Sequence, residues 1–366
     1  MKEREFKGME NDSALIVNEG IEQPPVINPY IDNFYKKNQV RILNEEQYVE
    51  GILAGNVTIL SQAITLIESS RSDHREIAQK IVTRCQAHAV KSMRIGITGV
   101  PGAGKSTFIE AFGGMLTDNG HKLAVLAIDP SSEKSKGSIL GDKTRMETLS
   151  VNPNVFIRPS PSGGSLGGVA RKTRETIALC EAAGFDVIFI ETVGVGQSET
   201  AVHSMSDFFL LLMLAGAGDE LQGIKRGIME MSDLIAITKA DGTNVDKATL
   251  AKALYKNALH LFPPTESEWV PTAVTTSAVT KDGLDEVLQK IAEYFKLTES
   301  NGYYKHKRSE QAKYWMYESI QEELKNRFFE DERVNSRLEE FEEKVRNGEI
   351  GSFVAAAELL KLYYNR

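Results

Sequence analysis

A glycine-rich stretch at 99–107, GVPGAGKST, constrains the fold of this chain more than any other feature. It matches the pattern Gly-x-x-x-x-Gly-Lys-Ser/Thr, follows a short apolar run and opens a segment with a helical pattern. Glycines in such a loop let backbone N–H groups turn inward around a phosphate, and the helix N-terminus adds its positive end. The stretch therefore predicts a strand, a phosphate-binding loop and a helix, in that order.

Short apolar runs that end in glycine, aspartate or proline recur from Met93 onward, with longer helical stretches between them. The expected strands are RIGITG (94–99), KLAVLAID (122–129), NVFIR (154–158), FDVIFIE (185–191), DFFLLLML (207–214), DLIAITKAD (233–241) and WVPTAVTTSA (269–278). Continuous apolar strands alternating with helices indicate a mostly parallel sheet covered by helices on both faces. We therefore expect an α/β fold of the P-loop NTPase type, with N-terminal and C-terminal helical extensions and with ligands at the carboxyl ends of the strands.

The pattern of apolar and polar residues divides the chain into four segments. They are a mobile N-terminal arm at 1–40, a helical segment at 41–92, a nucleotide-binding domain at 93–297 and a helical C-terminal segment at 298–366. In the second segment, apolar residues recur at spacings of three and four, which predicts about three helices with one buried face.

The C-terminal segment is helical in pattern and highly charged. Trp315, Ile320, Leu324 and Phe328 can line one stripe of a helix there. Two interpretations fit this stripe: a solvated helix packed on its own domain, or an arm that pairs with a second copy of the chain.

Composition excludes several classes of protein. The net charge of −8 over 366 residues weighs against a general nucleic-acid binder. Cys85 and Cys180 lie far apart without metal-ligand spacing, so we expect a reducing compartment, no disulfide and no zinc site. The N-terminus has no signal-peptide pattern, and the most apolar stretch, at 208–218, is shorter than the roughly 20 residues that a membrane span needs. We expect a cytoplasmic protein without a membrane or nucleic-acid partner.

The phosphate loop supplies two side chains with expected chemical roles. Lys105 would reach the β- and γ-phosphate oxygens, and Ser106 would give its hydroxyl to Mg²⁺. The other nucleotide-binding positions expected in this loop are Gly99, Gly102, Ala103, Gly104 and Thr107.

Carboxylates further along the chain complete an expected metal site. Asp129 ends the second strand, where an aspartate serves either as a turn cap or near a metal. The following stretch at 131–146 is polar and contains glycine, as a mobile loop that closes on a γ-phosphate would be. Asp142 in that stretch could join the water shell of the metal. The expected metal set is Ser106, Asp129, Asp142 and Glu191.

The stretch ETVGVGQSE at 191–199 follows a buried strand and departs from a common pattern. Many GTP hydrolases have Asp-x-x-Gly here, with a glutamine after the glycine that orients the attacking water. This chain has Glu191 for the aspartate and Val195 in place of the glutamine. Glu191 could hold metal-bound water or activate the nucleophile, and Gly194 is the expected backbone donor to the γ-phosphate. Gln197 receives no catalytic role.

The stretch TKAD follows the apolar LIAI and approximates Asn-Lys-x-Asp. Asp241 would accept hydrogen bonds from guanine N1 and N2, while the stem of Lys239 covers the base. Thr238 replaces the usual asparagine, and we expect this change to weaken a contact that braces the loop. The later stretch TSA supplies Ser277 and Ala278, a small turn behind the base. Adenine offers Asp241 no such donors, so the sequence predicts GTP or GDP rather than ATP.

In this order, the motifs resemble those of the MeaB-type P-loop GTPases, chaperones of adenosylcobalamin-dependent methylmalonyl-CoA mutase that were formerly described as a transport-system kinase. The stretches that carry the resemblance are GVPGAGKST, IDPSS, GSILGDKTRM, SGGSLGGVARKT, FDVIFIETVGVGQSE, GAGDELQGIKRGIME and TKAD. The resemblance extends from about Ile42 to the end, is most specific over 94–245, and leaves out 1–40. It implies a G domain with a C-terminal dimerisation arm, GTP with Mg²⁺, a homodimer, and control of cofactor loading and rescue in the mutase.

The resemblance also assigns roles to residues. It places Lys105 in the phosphate loop and Glu191 in a second switch. The stretch at 218–227 is similar to a third switch of the family, in which Lys225 would swing toward the nucleotide when the mutase is bound. Taken on its own, this stretch is a solvated charged turn. Because no glutamine follows Gly194, we expect slow hydrolysis until a partner completes the site, giving Lys105, Glu191 and Lys225 as the catalytic set.

Three other functions fit the sequence less well. A kinase would need a phosphoryl-acceptor site, and no such set of residues is evident in the sequence. A metal-insertion GTPase needs clustered His or Cys ligands, whereas the six histidines are scattered. A scaffold that binds GTP without hydrolysis fits poorly with intact Lys105, Ser106, Asp129 and Glu191.

Overall fold

The computed structural model describes residues 43–69, 71–128, 146–159, 166–192, 198–215 and 226–364. The predicted arm at 1–40 lies outside these residues. Within the chain, Glu45–Arg366 form one compact unit, to which the fold below refers.

The core of this unit is a parallel sheet of seven strands among the described residues, in the order β3-β2-β4-β1-β5-β6-β7. The strands are β1 Met93–Gly99, β2 Leu123–Ile128, β3 Val155–Arg158, β4 Val187–Thr192, β5 Phe208–Leu214, β6 Leu234–Thr238 and β7 Thr272–Thr275. Each lies within one predicted strand or differs from it by a residue at an end, which confirms the predicted α/β class. From β1 the chain runs to β2 on one side, and after β4 it continues to β5 on the other. A ligand crevice is therefore expected above the carboxyl ends of β4, β1 and β5.

Helices precede, cover and follow the sheet. In chain order they are α1 Glu45–Leu53, α2 Val57–Glu68, α3 Ser72–Gln86, α4 Lys105–Asp118, α5 Glu147–Val151, α6 Leu166–Ala182, α7 Ser198–His203, α8 Arg226–Glu230, α9 Val245–Leu259, α10 Leu284–Ser300, α11 Tyr303–Glu330, α12 Glu332–Arg346 and α13 Ser352–Tyr364. The three helices α1 to α3 confirm the helical pattern before β1. Asn56 caps α2, since its side chain accepts hydrogen bonds from the backbone N–H groups of Thr58 and Ile59 at 3.0 and 3.2 Å.

Both faces of the sheet are buried. On one face, Leu210 and Leu212 of β5 belong to a core that includes Phe112 of α4 and Ile291 of α10. On the other face, Leu211 of the same strand packs in a second core with residues of α9. Because successive residues of a strand point to opposite faces, this double burial explains why the strands are continuous apolar runs rather than alternating ones.

The C-terminal helices divide the predicted stripe between two environments. Trp315 is partly buried against the domain, and Phe328 packs in a small cluster formed by α11, α12 and α13. Ile320 and Leu324 are 48% and 56% exposed. The helix is confirmed, but its apolar residues do not share one buried face.

No helix in the described ranges has the length and apolarity needed to cross a membrane. Cys85 and Cys180 are free and buried, and burial raises the pKa of the Cys85 thiol to about 11.

Candidate functional site

The phosphate loop lies where the sequence predicts it, between β1 and α4. Gly102 and Gly104 both have φ of +79°, in the left-handed region that favours glycine, so the loop can turn its backbone inward. A Cβ at Gly99 would lie 2.5 Å from the carbonyl oxygen of Leu212. Glycine at this position therefore allows β1 to lie directly against β5 as it enters the loop.

Lys105 begins α4 and folds back over the loop. Its ammonium Nζ donates a hydrogen bond to the carbonyl oxygen of Gly99 at 3.1 Å. Burial lowers the pKa of Lys105, while the negative charges of Glu191 and Glu199 oppose this effect. A half-buried cation at a P-loop lysine position, facing two carboxylates, is suited to contact a phosphate group.

Glu191 lies near the carboxyl end of β4, 4% exposed, in register with Ile97 of β1. Two residues earlier, Phe189 stacks on Phe112 of α4 with ring centroids 5.8 Å apart. Because alternate residues of a strand share a face, Glu191 lies on the α4 face of the sheet, toward Lys105. Its burial on this face suits a carboxylate that acts on metal-bound water.

The expected metal set is only partly described. Ser106 lies in the first turn of α4 and Glu191 on the same face of the sheet, whereas Asp129 and Asp142 lie outside the described residues. Hydroxyl and carboxylate oxygens are hard donors of the kind that Mg²⁺ prefers, so this donor set fits the ion. Among the described residues, no group of three or more His, Cys, Asp or Glu side chains is placed to hold a metal.

Thr238 braces the predicted guanine loop against the phosphate loop. Its hydroxyl donates to the carbonyl oxygen of Ala103 at 2.8 Å and lies 3.0 Å from that of Met213. The sequence predicts a weakened brace at this position, and the structure shows that a direct hydrogen bond to the phosphate loop is present. The stem of Lys239, whose φ is +54°, lies over the same loop, with its Cε 3.8 Å from a Cβ built at Gly104.

The two predicted base-binding stretches also contact each other. The hydroxyl of Ser277 donates to the carboxylate of Asp241 at 2.5 Å, and the N–H of Ala240 donates to the carbonyl of Thr276 at 3.1 Å. Ser277 is fully buried. A buried hydroxyl therefore orients the carboxylate predicted to accept from guanine, and Ala278 follows in the same turn.

The fold thus places four separate stretches at the carboxyl edge of the sheet. The phosphate loop follows β1, Glu191 is the next-to-last residue of β4, TKAD begins at the last residue of β6 and TSA follows β7. Gly194 and Lys225 lie outside the described residues, as does Gln197.

Sequence reasoning missed Glu199, in the first turn of α7. The negative charge of this carboxylate opposes the effect of burial on the pKa of Lys105. The sequence did contain a signal for this residue, because Glu199 is a carboxylate in the first turn of the helix that follows Glu191.

Comparison with known proteins identifies the family. A family model described as methylmalonyl Co-A mutase-associated GTPase MeaB matches residues 60–333. The chain belongs to the MeaB family. This confirms the resemblance on which several of the sequence predictions rest.

Relatives of this MeaB-family chain cover most of its length. It is 50% identical over 312 residues to a Caulobacter vibrioides protein whose name is that of a GTPase, covering 85% of this chain and 95% of the relative. It is 44% identical over 336 residues to the mitochondrial methylmalonic aciduria type A homolog of Mus musculus, covering 88% and 81%. The crystal structure of a LAO/AO transport system kinase is 34% identical, has a TM-score of 0.68 and covers 88% of this chain and 99% of that one. These findings support a GTPase of the MeaB family with a P-loop NTPase fold.

Proposed function

We propose that this protein hydrolyses GTP to GDP and phosphate with Mg²⁺. We further propose that it serves as a chaperone for an adenosylcobalamin-dependent acyl-CoA mutase of the methylmalonyl-CoA mutase type. In that role it gates cofactor loading and protects or rescues the mutase. The observation that carries the proposal is the convergence of the phosphate loop, Glu191 and the TKAD and TSA stretches at one edge of the sheet of a MeaB-family chain.

Each residue of the site has a separate proposed role in hydrolysis. Backbone N–H groups of the loop hold the β-phosphate, and Lys105 neutralises charge on the β- and γ-oxygens as it develops. Bound Mg²⁺ would supply further charge stabilisation, held by Ser106 and by carboxylates from Asp129, Asp142 and Glu191. Glu191 would hold metal-bound water or activate the attacking water as a base.

The base is selected by Asp241 and Lys239. The Asp241 carboxylate, oriented by Ser277, accepts from the N–H groups that guanine presents and that adenine lacks. Such a site rejects an analogue without those donors, because the carboxylate would lose the hydrogen bonds that the base donates. Thr238 keeps this loop fixed to the phosphate loop.

Hydrolysis by the protein alone is proposed to be slow. Val195 occupies the position at which many GTPases carry a water-orienting glutamine. A partner that supplies a missing catalytic group accelerates phosphoryl transfer by about 10³ to 10⁵. We propose that here the group is Lys225 of this chain, which moves to the nucleotide when the mutase binds.

Two partners are proposed, one from the family and one from exposed apolar side chains. The mutase is supported by the description of the family model and by the name of the mouse relative. A homodimer is supported by exposed apolar side chains on α11 and α13, among them Tyr317, Ile320, Leu324, Phe353 and Val354. On this basis, 93–297 is the G domain and 298–366 the dimerisation arm of a cytoplasmic protein.

The test is GTP turnover by the purified protein, alone and with an adenosylcobalamin-dependent acyl-CoA mutase from the same cell. Lys105→Ala is the inactive control, and ATP is the nucleotide control. Slow GTP hydrolysis that rises sharply with the mutase supports the proposal. An unchanged rate would remove the mutase as the client, and preferential use of ATP would overturn the guanine assignment in favour of a kinase.

A further inference from the structure

The short helix α7 (Ser198–His203) packs directly on the strand that carries the phosphate loop. A Cβ at Gly96 of β1 would lie 2.4 Å from the hydroxyl of Ser206 and 2.9 Å from a methyl group of Val202. Only a glycine at this position allows such a close approach, and Val202 and Ser206 are fully buried. A displacement of α7 must therefore also displace β1 at Gly96, three residues before the loop begins at Gly99.

Helix α7 is close in sequence to the end of β4. The helix begins six residues after Thr192, the last residue of β4. The helix contacts both β4, which carries Glu191, and β1, which leads into the phosphate loop. The position of α7 is thus linked to two strands that carry residues of the site.

The opposite end of α7 is held by the long C-terminal helix α11. Trp315 donates its indole N–H to the carbonyl of Ser204 at 3.1 Å, Gln311 donates its amide to that of Ser206 at 2.8 Å, and Lys307 donates to that of Asp207 at 2.7 Å. The donors are spaced by four residues, so they share one face of α11. Together they hold the turn between α7 and β5 from one side.

Surrounding charges fix the geometry of this contact. The guanidinium groups of Arg94 and Arg174 both lie near the Trp315 ring, with Cζ atoms 5.6 and 5.5 Å from its centroid. Gln311 is 7% exposed, and its Oε1 is buried without a hydrogen-bond partner among the described residues. The amide is therefore constrained mainly through its donor bond to Ser206.

We propose that Gln311 and Trp315, in the C-terminal arm, are positioning residues for GTP hydrolysis. By holding the carbonyls of Ser204 and Ser206, they fix α7 against Gly96 of β1 and hence fix the strand that leads into the phosphate loop. The proposal rests on the proposed GTPase function. Coupling between two sites is reciprocal, so a change of the bound nucleotide must in turn change the environment of Trp315.

The first test compares Gln311→Met with Gln321→Met. Both changes remove an amide from the same helix, but Gln321 is exposed and serves as the matched control. In Gln311→Met we expect kcat for GTP to fall about tenfold with little change in KM, because misplacement of a positioned group slows the chemical step more than it weakens binding. The control should retain both values. Equal kcat in the two variants would overturn the proposal.

The second test reads the coupling in the unaltered protein and does not depend on how well Gln311→Met folds. The chain has two tryptophans, Trp269 and Trp315. Trp269 is buried, with its N–H bonded to the carbonyl of Asp233. We expect intrinsic tryptophan emission to change when GDP is replaced by a GTP analogue with a non-hydrolysable β–γ bridge. In Trp315→Phe this change should be lost.

Nucleotide occupancy in each sample is measured separately with radiolabelled GDP and analogue. Saturated binding without an emission change, or a change that persists in Trp315→Phe, would overturn the coupling and leave the GTPase function intact. Failure of the unaltered protein to bind either nucleotide would instead refute the proposed function on which the coupling rests.

Discussion

At the scale of single residues, the Thr238 hydroxyl connects the base loop to the phosphate loop through the carbonyl of Ala103. Thr238 is 4% exposed, so a valine at this position would leave that buried carbonyl without its donor. A lost bond of this kind costs about 1–3 kcal/mol. Affinity for GDP should therefore fall about tenfold in Thr238→Val and be largely retained in Thr238→Ser, as measured by equilibrium binding of radiolabelled nucleotide.

The control for this prediction is Thr249→Val. Thr249 is exposed on α9, and its hydroxyl bonds only within its own helix, to the carbonyl of Val245. This variant should bind GDP as the unaltered protein does. If Thr249→Val lost as much GDP affinity as Thr238→Val, the loss would come from replacing any threonine with valine. It would then not come from breaking the bond between the two loops.

A second residue, Asp233, gives a prediction about pH. Its carboxylate accepts from the N–H of Phe209 at 2.8 Å, and burial raises its pKa from 3.8 to about 6. A carboxyl with a raised folded-state pKa binds its proton more tightly in the folded protein. Its contribution to stability is therefore present below about pH 4 and is lost as pH rises through about 6. Asp233→Asn retains a side-chain acceptor and should remove this pH dependence.

Urea unfolding of the unaltered protein and Asp233→Asn at pH 4, 5, 6 and 7 tests this prediction. The free energy of unfolding of the unaltered protein, minus that of the variant, should fall across the series. Asp246→Asn, which changes an exposed carboxylate in the first turn of α9, should give a flat difference. A flat difference for Asp233→Asn as well would show that Asp233 keeps its ordinary pKa.

At the scale of elements, α11 is joined to the sheet by buried charges. Arg308 binds Asp207 through two hydrogen bonds of 2.6 Å and contacts Glu181, which pairs with Arg94 of β1. The side chains of Asp207 and Glu181 are 2% and 6% exposed. The burial of these carboxylates makes the loss of a partner costly, since an uncompensated charge would remain inside the protein.

Arg308→Met should therefore lower the free energy of unfolding by about 3 kcal/mol. Arg327→Met on the same helix is the matched control, because its pair with Glu323 is exposed to solvent and should contribute little. Both are measured by urea denaturation at pH 7. Similar stability of the two variants would mean that the buried network does not hold α11 to the sheet.

The elements also show where prediction from sequence succeeds and where it stops. The seven strands were predictable because burial on both faces leaves a continuous apolar run, which is a local property of the sequence. The bond from Thr238 to Ala103 spans 135 positions and depends on which carbonyl the fold brings near. Likewise, the spacing of Trp315 and Phe328 predicts a helix, but it does not predict that Trp315 contacts two arginines while Phe328 packs on Tyr363.

At the scale of the whole molecule, the C-terminal helices combine a buried attachment with an exposed apolar surface. Trp315 and Gln311 contact the domain, while Ile320 and Leu324, further along the same helix, are about half exposed. On α13, Phe353 is 90% exposed. Covering such apolar side chains with a second copy removes them from water, which favours association.

The proposed homodimer is tested by the double substitution Ile320→Asp and Leu324→Asp. The unaltered chain of 40.5 kDa should sediment at about twice this mass, and the double variant should sediment as a monomer, because charge in a desolvated apolar interface is strongly unfavourable. Lys325→Asp, a charge change at the neighbouring exposed position, is the control and should remain dimeric. Because both substituted side chains are exposed in the single chain, the monomer should fold and bind GDP normally. A double variant that stays dimeric would place the interface elsewhere, and an unaltered chain that sediments as a monomer would refute the homodimer.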